Sequence, residues 1–182
     1  MKGPIQSSLD LGCGYGDFSR HLKAKQKTAI DLEDLSEYQA SDVRFLQSST
    51  SSLGDLEIDE LDLCFASNLL EHLSKEEGED LLRWVWSKLR PGGRILLLQP
   101  NFRYCYRNYF DDYTHKTIYT DEGLSGFLQS LGFEVEIRKP RYLPFSMRGS
   151  LLPKTYFLTR TYLEMGSPLL GAQMLIGGIK TS

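Results

Sequence analysis

The chain has 182 residues, of which 41% are hydrophobic, with a net charge of −3 and three cysteines. This length allows one domain with a complete hydrophobic core, and the mildly acidic balance disfavours bulk nucleic-acid binding, which usually needs a basic surplus. The few cysteines indicate reduced thiols and a cytoplasmic location. Because it lacks an N-terminal apolar run and a stretch of about 18 apolar residues, the sequence predicts no signal peptide and no membrane span.

The first predicted strand, Ile5–Leu11, leads into three alternating glycines. These glycines are Gly12, Gly14 and Gly16. Glycine permits positive φ at a tight turn and lets a ligand approach the backbone closely. A strand, a glycine turn and a helix in that order are typical of a nucleotide-type pocket at the carboxyl edge of a parallel sheet. The sixth position of the turn is Asp17, where the dinucleotide fingerprint requires glycine, and the acidic Asp10 before the turn favours a cationic ligand over a pyrophosphate.

Strands and helices are predicted to alternate along the rest of the chain. Further strands are predicted at Thr28–Asp31, Val43–Gln47, Leu61–Ser67, Arg94–Gln99, Glu134–Arg141 and Ala172–Lys180, and helices at Asp17–Lys25, from Ser74 to Leu89, at Asp121–Ser130 and at Lys154–Glu164. Ser74 and Glu77 form a capping-box pattern, while Thr120 and Gly132 are typical of the two ends of a helix. Residues 32–42 are short and polar, so we expect an irregular connection there. The alternation indicates an α/β fold with a doubly wound parallel sheet.

Four collinear segments carry a family resemblance. They are Asp10–Gly16, Lys27–Asp31, Glu60–Leu73 and Leu89–Leu98. In order, they are similar to the glycine motif, the acid-terminated second strand, the fourth strand with its following turn, and the Pro-Gly-Gly turn before the fifth strand of the class I S-adenosylmethionine-dependent methyltransferases. One glycine motif alone would be weak evidence, whereas four segments in the right order are specific.

The resemblance implies a Rossmann-like doubly wound sheet of seven strands, mostly parallel with an antiparallel last strand, in one domain over residues 1–182. Residues 1–6 are too few for the lid helix that usually precedes the first strand, so we expect this helix to be absent or truncated. Substrate-side loops are expected at residues 100–120 and 141–154. The implied cofactor is S-adenosylmethionine, with S-adenosylhomocysteine as its product.

The resemblance also assigns the residues that bind the cofactor. Asp31 takes the position of the carboxylate that binds the ribose hydroxyls. Ser49 and Thr50 lie beside the adenine, where the family often has an Asp, and Asn68 lies near the methionine end. The complete predicted set is Asp10, Gly12, Cys13, Gly14, Tyr15, Gly16, Asp31, Leu32, Ser49, Thr50, Asn68 and Leu69.

Methyl transfer to a hydroxyl benefits from a general base. His115 is the first candidate, because it lies in a long connection after strand five and Asp112 at i−3 could orient its ring; the alternative is a loop-stabilising hydrogen bond. His72 is the second candidate, and its alternative role is packing beneath the cofactor. His21 is expected at the surface. A metal site made of Asp111, Asp112 and His115 is disfavoured, because adjacent carboxylates point apart in extended chain, and no metal is predicted.

Aromatic and basic residues are interleaved between Asn101 and Tyr119. This pattern indicates either an acceptor pocket that stacks a ring or sugar or core packing beneath a long loop, and we expect a mixture. The predicted acceptor contacts are Tyr106, Arg107, Tyr109, Asp112 and Tyr113. A second basic-aromatic segment, Arg141–Arg148, resembles one in bacterial methyltransferases of cell-surface glycan and lipid-linked sugar synthesis, which suggests a sugar or glycolipid precursor as the acceptor.

The sequence therefore predicts an enzyme that transfers a methyl group to a hydroxyl or amine of a small molecule. The expected partners are this acceptor and, as a possible assembly, a homodimer, without nucleic acid. The alternative is a non-catalytic or partner-dependent module that binds S-adenosylmethionine without turnover. A nicotinamide oxidoreductase would share the fold but is disfavoured by Asp17 in the glycine turn.

Overall fold

Seven strands form one mixed sheet in the computed structural model, which describes residues 3–58, 60–144 and 171–181. The strands are β1 (Ile5–Leu11), β2 (Ala24–Asp31), β3 (Arg44–Gln47), β4 (Leu61–Ser67), β5 (Leu89–Pro100), β6 (Phe133–Leu143) and β7 (Gln173–Lys180). Their order across the sheet is β3-β2-β1-β4-β5-β7-β6. Strand order reverses between β1 and β4, and loops at such a switch point form the usual binding crevice of this architecture.

The sheet is parallel from β3 to β5 and antiparallel on both sides of β7. Strand β1 pairs in parallel with β2 and β4, β2 with β3 and β4 with β5. Strand β7 runs antiparallel to β5 and to β6. The predicted fold class is therefore confirmed, and the carboxyl ends of β1, β2, β4 and β5 meet at one edge of the sheet.

The helices of the described residues cover the sheet and connect its strands. They are α1 (Asp17–His21), α2 (Lys75–Lys88), α3 (Phe102–Cys105) and α4 (Asp121–Ser130). Short 3-10 turns are found at Ser36–Tyr38, Thr50–Asp55, Leu70–His72 and Tyr109–Asp111. The turn at Ser36–Tyr38 confirms that the connection after β2 is irregular.

The predicted helix caps are confirmed. Ser74 Oγ accepts a hydrogen bond from the Glu77 amide, and the Glu77 carboxylate accepts one from the Ser74 amide, which is a complete capping box. Thr120 caps α4 through the Gly123 amide, and Gly132 follows with a positive φ of 96°. The apolar stripe of α2 is buried against the sheet. Its members are Leu81, Leu82 and Val85, with Leu89 following at the helix end.

Three predicted boundaries were wrong by more than two residues. Helix α1 ends at His21 rather than Lys25, because Leu22 adopts an extended conformation. Strand β2 begins before Thr28, because Ala24 already pairs with Ile5 of β1. Strand β5 begins at Leu89 rather than Arg94. The Pro-Gly-Gly stretch forms an irregularity inside that strand, since pairing with β4 shifts between Leu61 and Leu63.

Two other predictions concern residues outside the described part. The helix predicted at Lys154–Glu164 and residues 145–154 of the second substrate-side loop lie outside the described residues. Among the described residues, no helix is both long enough and apolar enough to cross a membrane.

Candidate functional site

The glycine turn after β1 is open to a ligand. Gly12, Gly14 and Gly16 have φ values of 64°, 51° and 73°, a region that side chains other than glycine rarely adopt. A Cβ atom added to Gly14 would meet no protein atom within 4 Å. A Cβ on Gly12 would lie 3.2 Å from Leu69 Cδ1, so the turn after β4 closes over the other side of the glycines. The backbone at Gly14 is thus free for close approach.

The carboxylate of Asp31 connects the turn after β1 to the end of β2. Its Oδ2 atom accepts a hydrogen bond of 2.9 Å from the Gly14 amide, and Oδ1 accepts one of 3.2 Å from the Glu33 amide. A carboxylate has about four acceptor positions, so two remain for the hydroxyls of a ribose. The Ser48 amide donates to the Asp31 carbonyl over 2.9 Å, which brings the predicted adenine residues Ser49 and Thr50 to the same place.

Together with the glycine turn and Asp31, Asn68 and Leu69 after β4 surround a crevice at the carboxyl edge of the sheet. Asn68 has a positive φ of 49°, the only such value for a non-glycine residue in the described part of the chain. Its Oδ1 atom accepts a hydrogen bond of 2.9 Å from Gln173 Nε2 on β7, and the Leu69 amide donates to Gln99 Oε1 over 3.3 Å. Both predicted residues therefore lie where the ends of β4, β5 and β7 meet.

The remaining predicted cofactor residues occupy two different surroundings. Asp10 is 3% exposed and accepts a 3.0 Å hydrogen bond from Ser19 Oγ, so it lies beneath the glycine turn and holds α1 in place. Burial raises the pKa of Asp10 to about 6, and burial together with Asp10 and Asp31 raises that of the Cys13 thiol to about 12. Tyr15 and Leu32, by contrast, are exposed at the mouth of the crevice.

A cavity of about 740 Å³ adjoins the crevice. It is lined by residues of the turn after β4, the segment after β5 and the start of β7. They include Asn68, Glu71, His72, Pro100, Asn108, Asp111, Asp112, Tyr113, His115 and Gln173. The structure therefore brings together both predicted histidines and two of the predicted acceptor contacts, Asp112 and Tyr113. Small-molecule sites usually enclose about 300–1,000 Å³, so the cavity has the size of an acceptor site.

In each of the two histidine rings, a hydrogen bond at Nδ1 fixes the orientation of the ring. His115 Nδ1 donates to the Tyr109 carbonyl over 2.6 Å. The Thr114 hydroxyl donates a hydrogen bond to the Asp112 carboxylate, so its oxygen accepts a hydrogen bond of 2.9 Å from His72 Nδ1. When either ring is neutral, its proton is thus on Nδ1 and its Nε2 keeps the lone pair. Burial, followed by the nearby His115, lowers the pKa of His72, which keeps that ring unprotonated at neutral pH.

Two expectations about this segment require correction. Asp112 does not hold His115 directly, because its Oδ2 atom is 4.0 Å from His115 Nε2 and its carboxylate is engaged by Thr114, whose hydrogen bonds lower the pKa of Asp112. The Tyr109 ring cannot contact an acceptor, since it is 0% exposed and its hydroxyl donates to the Thr117 carbonyl.

The other predicted acceptor residues are exposed. Tyr106 and Arg107 lie on the outer surface of the same segment, where Arg107 Nε donates to the Tyr106 hydroxyl over 3.2 Å. Tyr113 is 92% exposed at the cavity mouth. His21 is exposed on α1, as expected.

The sequence analysis missed Glu71. This residue is 1% exposed, and neither carboxylate oxygen has a hydrogen-bond donor within the described part of the chain. Burial raises the pKa of Glu71 to about 8, and the charge of Asp112 adds to the rise. Its backbone carbonyl accepts from the Lys116 and Thr117 amides, which brings His115 beside it. The signal available in the sequence was an acidic residue directly before His72 at the end of a buried strand.

Comparisons with known proteins show which proteins the chain resembles in sequence and in fold. Residues 9–97 match the family model described as a methyltransferase domain. Among curated protein sequences, none is significantly similar to the chain. A solved S-adenosylmethionine-dependent methyltransferase from Archaeoglobus fulgidus has 23% sequence identity and a TM-score of 0.72, with 98% of this chain and 87% of that chain covered.

Two further solved structures share the fold at lower identity. The complex of the Trm112 methyltransferase activator with a proposed methyltransferase from Haloferax volcanii has 13% identity and a TM-score of 0.72, covering 100% of this chain and 85% of that chain. The N-methyltransferase NodS from Bradyrhizobium japonicum, in complex with S-adenosylhomocysteine, has 15% identity and a TM-score of 0.69, covering 99% and 80%. Residues 9–97 are therefore similar to the methyltransferase-domain family, and the chain shares its fold with these solved methyltransferases.

Proposed function

We propose that this protein transfers a methyl group from S-adenosylmethionine to a hydroxyl or amine of a small molecule held in the 740 Å³ cavity. The observation that carries the proposal is the position of Asn68. It lines the cavity and directly precedes Leu69, which packs on Gly12 of the glycine turn. A donor on the glycine turn and an acceptor in the cavity would therefore meet at one point.

S-adenosylmethionine, when bound, supplies an electrophilic methyl group on a sulfonium. The acceptor forms a new bond to the methyl carbon as the carbon–sulfur bond breaks, and that electron pair stays on sulfur, so the departing thioether is neutral. The chain needs to align the two molecules, which can supply much of the acceleration. Asp31 would hold the ribose, and the turn at Asn68 would place the methyl group toward the cavity.

The acceptor must also lose a proton. His115 is our first choice for the base, since its Nε2 lone pair is free while Nδ1 is held by the Tyr109 carbonyl. His72 is the second choice, because the same argument applies through Thr114. The two ring centroids are 4.9 Å apart, so that either ring could take a proton from one bound acceptor.

A sugar or glycolipid precursor is the acceptor class we favour. Most residues that line the cavity carry a polar side chain that could bind sugar hydroxyls, and the exposed Tyr113 at its mouth could stack on the apolar face of a sugar ring. A panel of nucleotide sugars, lipid-linked saccharides, phenols and amines, assayed for S-adenosylhomocysteine release, tests this choice. Turnover of a phenol or amine with none of the saccharides would reject it.

The cofactor site is tested by Asp31→Ala and a titration with S-adenosylhomocysteine. We expect a loss of about 1–3 kcal/mol of binding free energy, because the ribose hydroxyls lose their acceptor. Glu33→Ala is the matched control, since the Glu33 side chain is exposed and only its backbone amide donates a hydrogen bond to Asp31. Affinity that is unchanged in Asp31→Ala would remove Asp31 from the site.

A partner-dependent module is the second candidate function. It is favoured by the structural similarity to a proposed methyltransferase that was solved with its activator. Such a module would bind S-adenosylhomocysteine and release no product with any acceptor until a partner is added. Turnover by the isolated chain would reject this candidate.

A cytoplasmic location is part of the proposal. Cys13, Cys64 and Cys105 are all free, as expected in a reducing compartment. Fractionation of cells that produce the protein tests this, and recovery from an oxidising compartment would contradict it.

A further inference from the structure

Three potential metal ligands converge at the base of the cavity. Glu71, His72 and His115 each offer one ligand atom, and these atoms all lie within 4.8 Å of one another. Ligands of a tetrahedral Zn²⁺ lie about 2.1 Å from the ion and hence roughly 3.4 Å apart. Side-chain rotations that move these ligand atoms by about 1 Å would therefore bring all three within bonding distance of one cation.

Glu71 provides a second, independent observation that points to a cation here. Its side chain is buried, and both carboxylate oxygens lack a hydrogen-bond donor among the described residues. A buried carboxylate without a donor is costly unless it takes up a proton or meets a cation. The neighbouring carboxylates are already satisfied, since Asp112 accepts from Thr114 and Asp111 accepts from Asn108. Of these three carboxylates, Glu71 alone has no hydrogen-bond donor among the residues that the structure describes.

The hydrogen bonds of the two histidines match those of metal ligands. A ligating imidazole usually donates its other N–H to a carbonyl or carboxylate, which fixes the ring and its tautomer. His115 Nδ1 donates to a backbone carbonyl, and His72 Nδ1 donates to Thr114, which in turn donates to Asp112. Within the described part of the chain neither Nε2 atom accepts a hydrogen bond, so both lone pairs are available for an ion and both rings are already held in place.

We propose that Glu71, His72 and His115 bind a divalent transition-metal cation of the Zn²⁺ type. One carboxylate and two imidazoles are a ligand set found in catalytic zinc sites, where a fourth position stays open. Imidazole ligands favour Zn²⁺ and its first-row neighbours, whereas Mg²⁺ favours oxygen ligands alone. The expectation of no metal, drawn from the sequence, rested on Asp111 and Asp112, which are not part of this set.

The site would act on the acceptor, and this role rests on the proposed function. The fourth coordination position would take the acceptor oxygen in the cavity, and the cation would lower the pKa of that hydroxyl. In the metal-bound protein His72 and His115 would be ligands rather than bases, and the hydroxyl acidified by the cation would lose its proton to water in the open cavity.

Metal binding can be measured without any activity. Tag-free protein is stripped with a chelator, dialysed against buffered Zn²⁺ and analysed for bound zinc by atomic emission. We expect one zinc per chain in the wild type and in His21→Ala, which removes the chain's third histidine from an exposed position on α1. Glu71→Gln and His115→Ala should lose the bound zinc. Zinc absent from the wild type, or lost equally in His21→Ala, would overturn the proposal, as would equal affinity for Mg²⁺.

A second, milder variant tests the metal site even if Glu71→Gln fails to fold. Thr114→Val removes the acceptor of His72 Nδ1 on an exposed segment, and such outer contacts are worth about 10–100-fold in metal affinity. We expect at least tenfold weaker zinc binding, and unchanged affinity would count against the site. S-adenosylhomocysteine is titrated into the same samples. Zinc binding without cofactor binding would reject the proposed function alone, and the reverse would reject the metal site alone.

Discussion

Two buried carboxylates lie at the same edge of the sheet, and the protein surrounds them differently. Asp10, at the end of β1, accepts a hydrogen bond from Ser19 on α1, whereas Glu71, after β4, has no donor in the described residues. Burial raises both pKa values, to about 6 for Asp10 and to about 8 for Glu71, and the bonds from Ser19 limit the rise at Asp10. The chain therefore supplies a donor to the carboxylate on the proposed cofactor side, whereas the carboxylate on the proposed acceptor side has none among the described residues.

The largest effect is expected from His115→Ala, which changes only the acceptor side. Turnover should fall by about 10²–10⁴-fold, the usual contribution of a group that manages proton transfer, whether His115 acts as a base or holds a metal. Single-turnover kinetics on an acceptor found in the panel measure this loss. The affinity for S-adenosylhomocysteine should stay unchanged. If the affinity for S-adenosylhomocysteine fell together with turnover, His115 would affect the cofactor site as well as the acceptor site.

Asp10→Asn should change how stability depends on pH. A pKa of about 6 in the folded chain, against 3.8 as the ordinary value, means that the unfolded chain ionises first as pH rises. Stability due to neutral Asp10 is therefore fully present below about pH 4 and lost as pH rises through about 6. Denaturant unfolding of the wild type should show a free energy of unfolding that falls by about 3 kcal/mol as pH rises from about 4 to above 6. Asp10→Asn should lack this fall.

The matched control for this experiment is Asp17→Asn, because Asp17 is exposed at the start of α1. Its pH profile should follow that of the wild type. A profile of Asp10→Asn with the same fall would show that another group is responsible.

Ser19→Ala should make Asp10 more like Glu71. The variant removes the hydroxyl that donates to the buried carboxylate, and losing one such bond costs about 1–3 kcal/mol of unfolding free energy. Chemical denaturation at neutral pH measures the loss, with the exposed Ser36→Ala as control. An equal effect in both variants would mean that the Ser19–Asp10 bond contributes nothing specific.

The smallest effect is expected from Ser74→Ala, at the start of α2. Loss of the capping box should lower the unfolding free energy by about 1 kcal/mol, because the Glu77 amide loses its acceptor. Affinity for zinc and for S-adenosylhomocysteine should be unaltered. A drop in zinc affinity would mean that α2 helps to position Glu71 and His72, which directly precede it.

The sequence predicts the cofactor side better than the acceptor side for a physical reason. The glycine turn depends on backbone conformations within one short segment. The bounds of β1 and β4 were predicted correctly, and in β4 a near-continuous apolar run marks a buried parallel strand. The end of α1 was missed, since pairing with β1 overrides the helical pattern after His21.

The acceptor side depends on contacts between distant residues. His72 and Thr114, for example, are 42 positions apart, and no local pattern predicts their hydrogen bond. Both histidines were identified as candidates, but Glu71 has meaning only once its burial and missing donor are known. The contribution of Gln173 to the turn at Asn68 likewise depends on the position of β7, 105 residues further along the chain.

The position of β7 between β5 and β6 has a consequence for how the protein is made. The ribosome delivers β6 before β7, so β6 has no place in the sheet until the later strand has emerged and been inserted beside β5. The glycine turn and its neighbouring strands can pair well before that moment. Nascent chains should therefore acquire the cofactor crevice early, and a closed acceptor cavity only when residues 173–180 arrive.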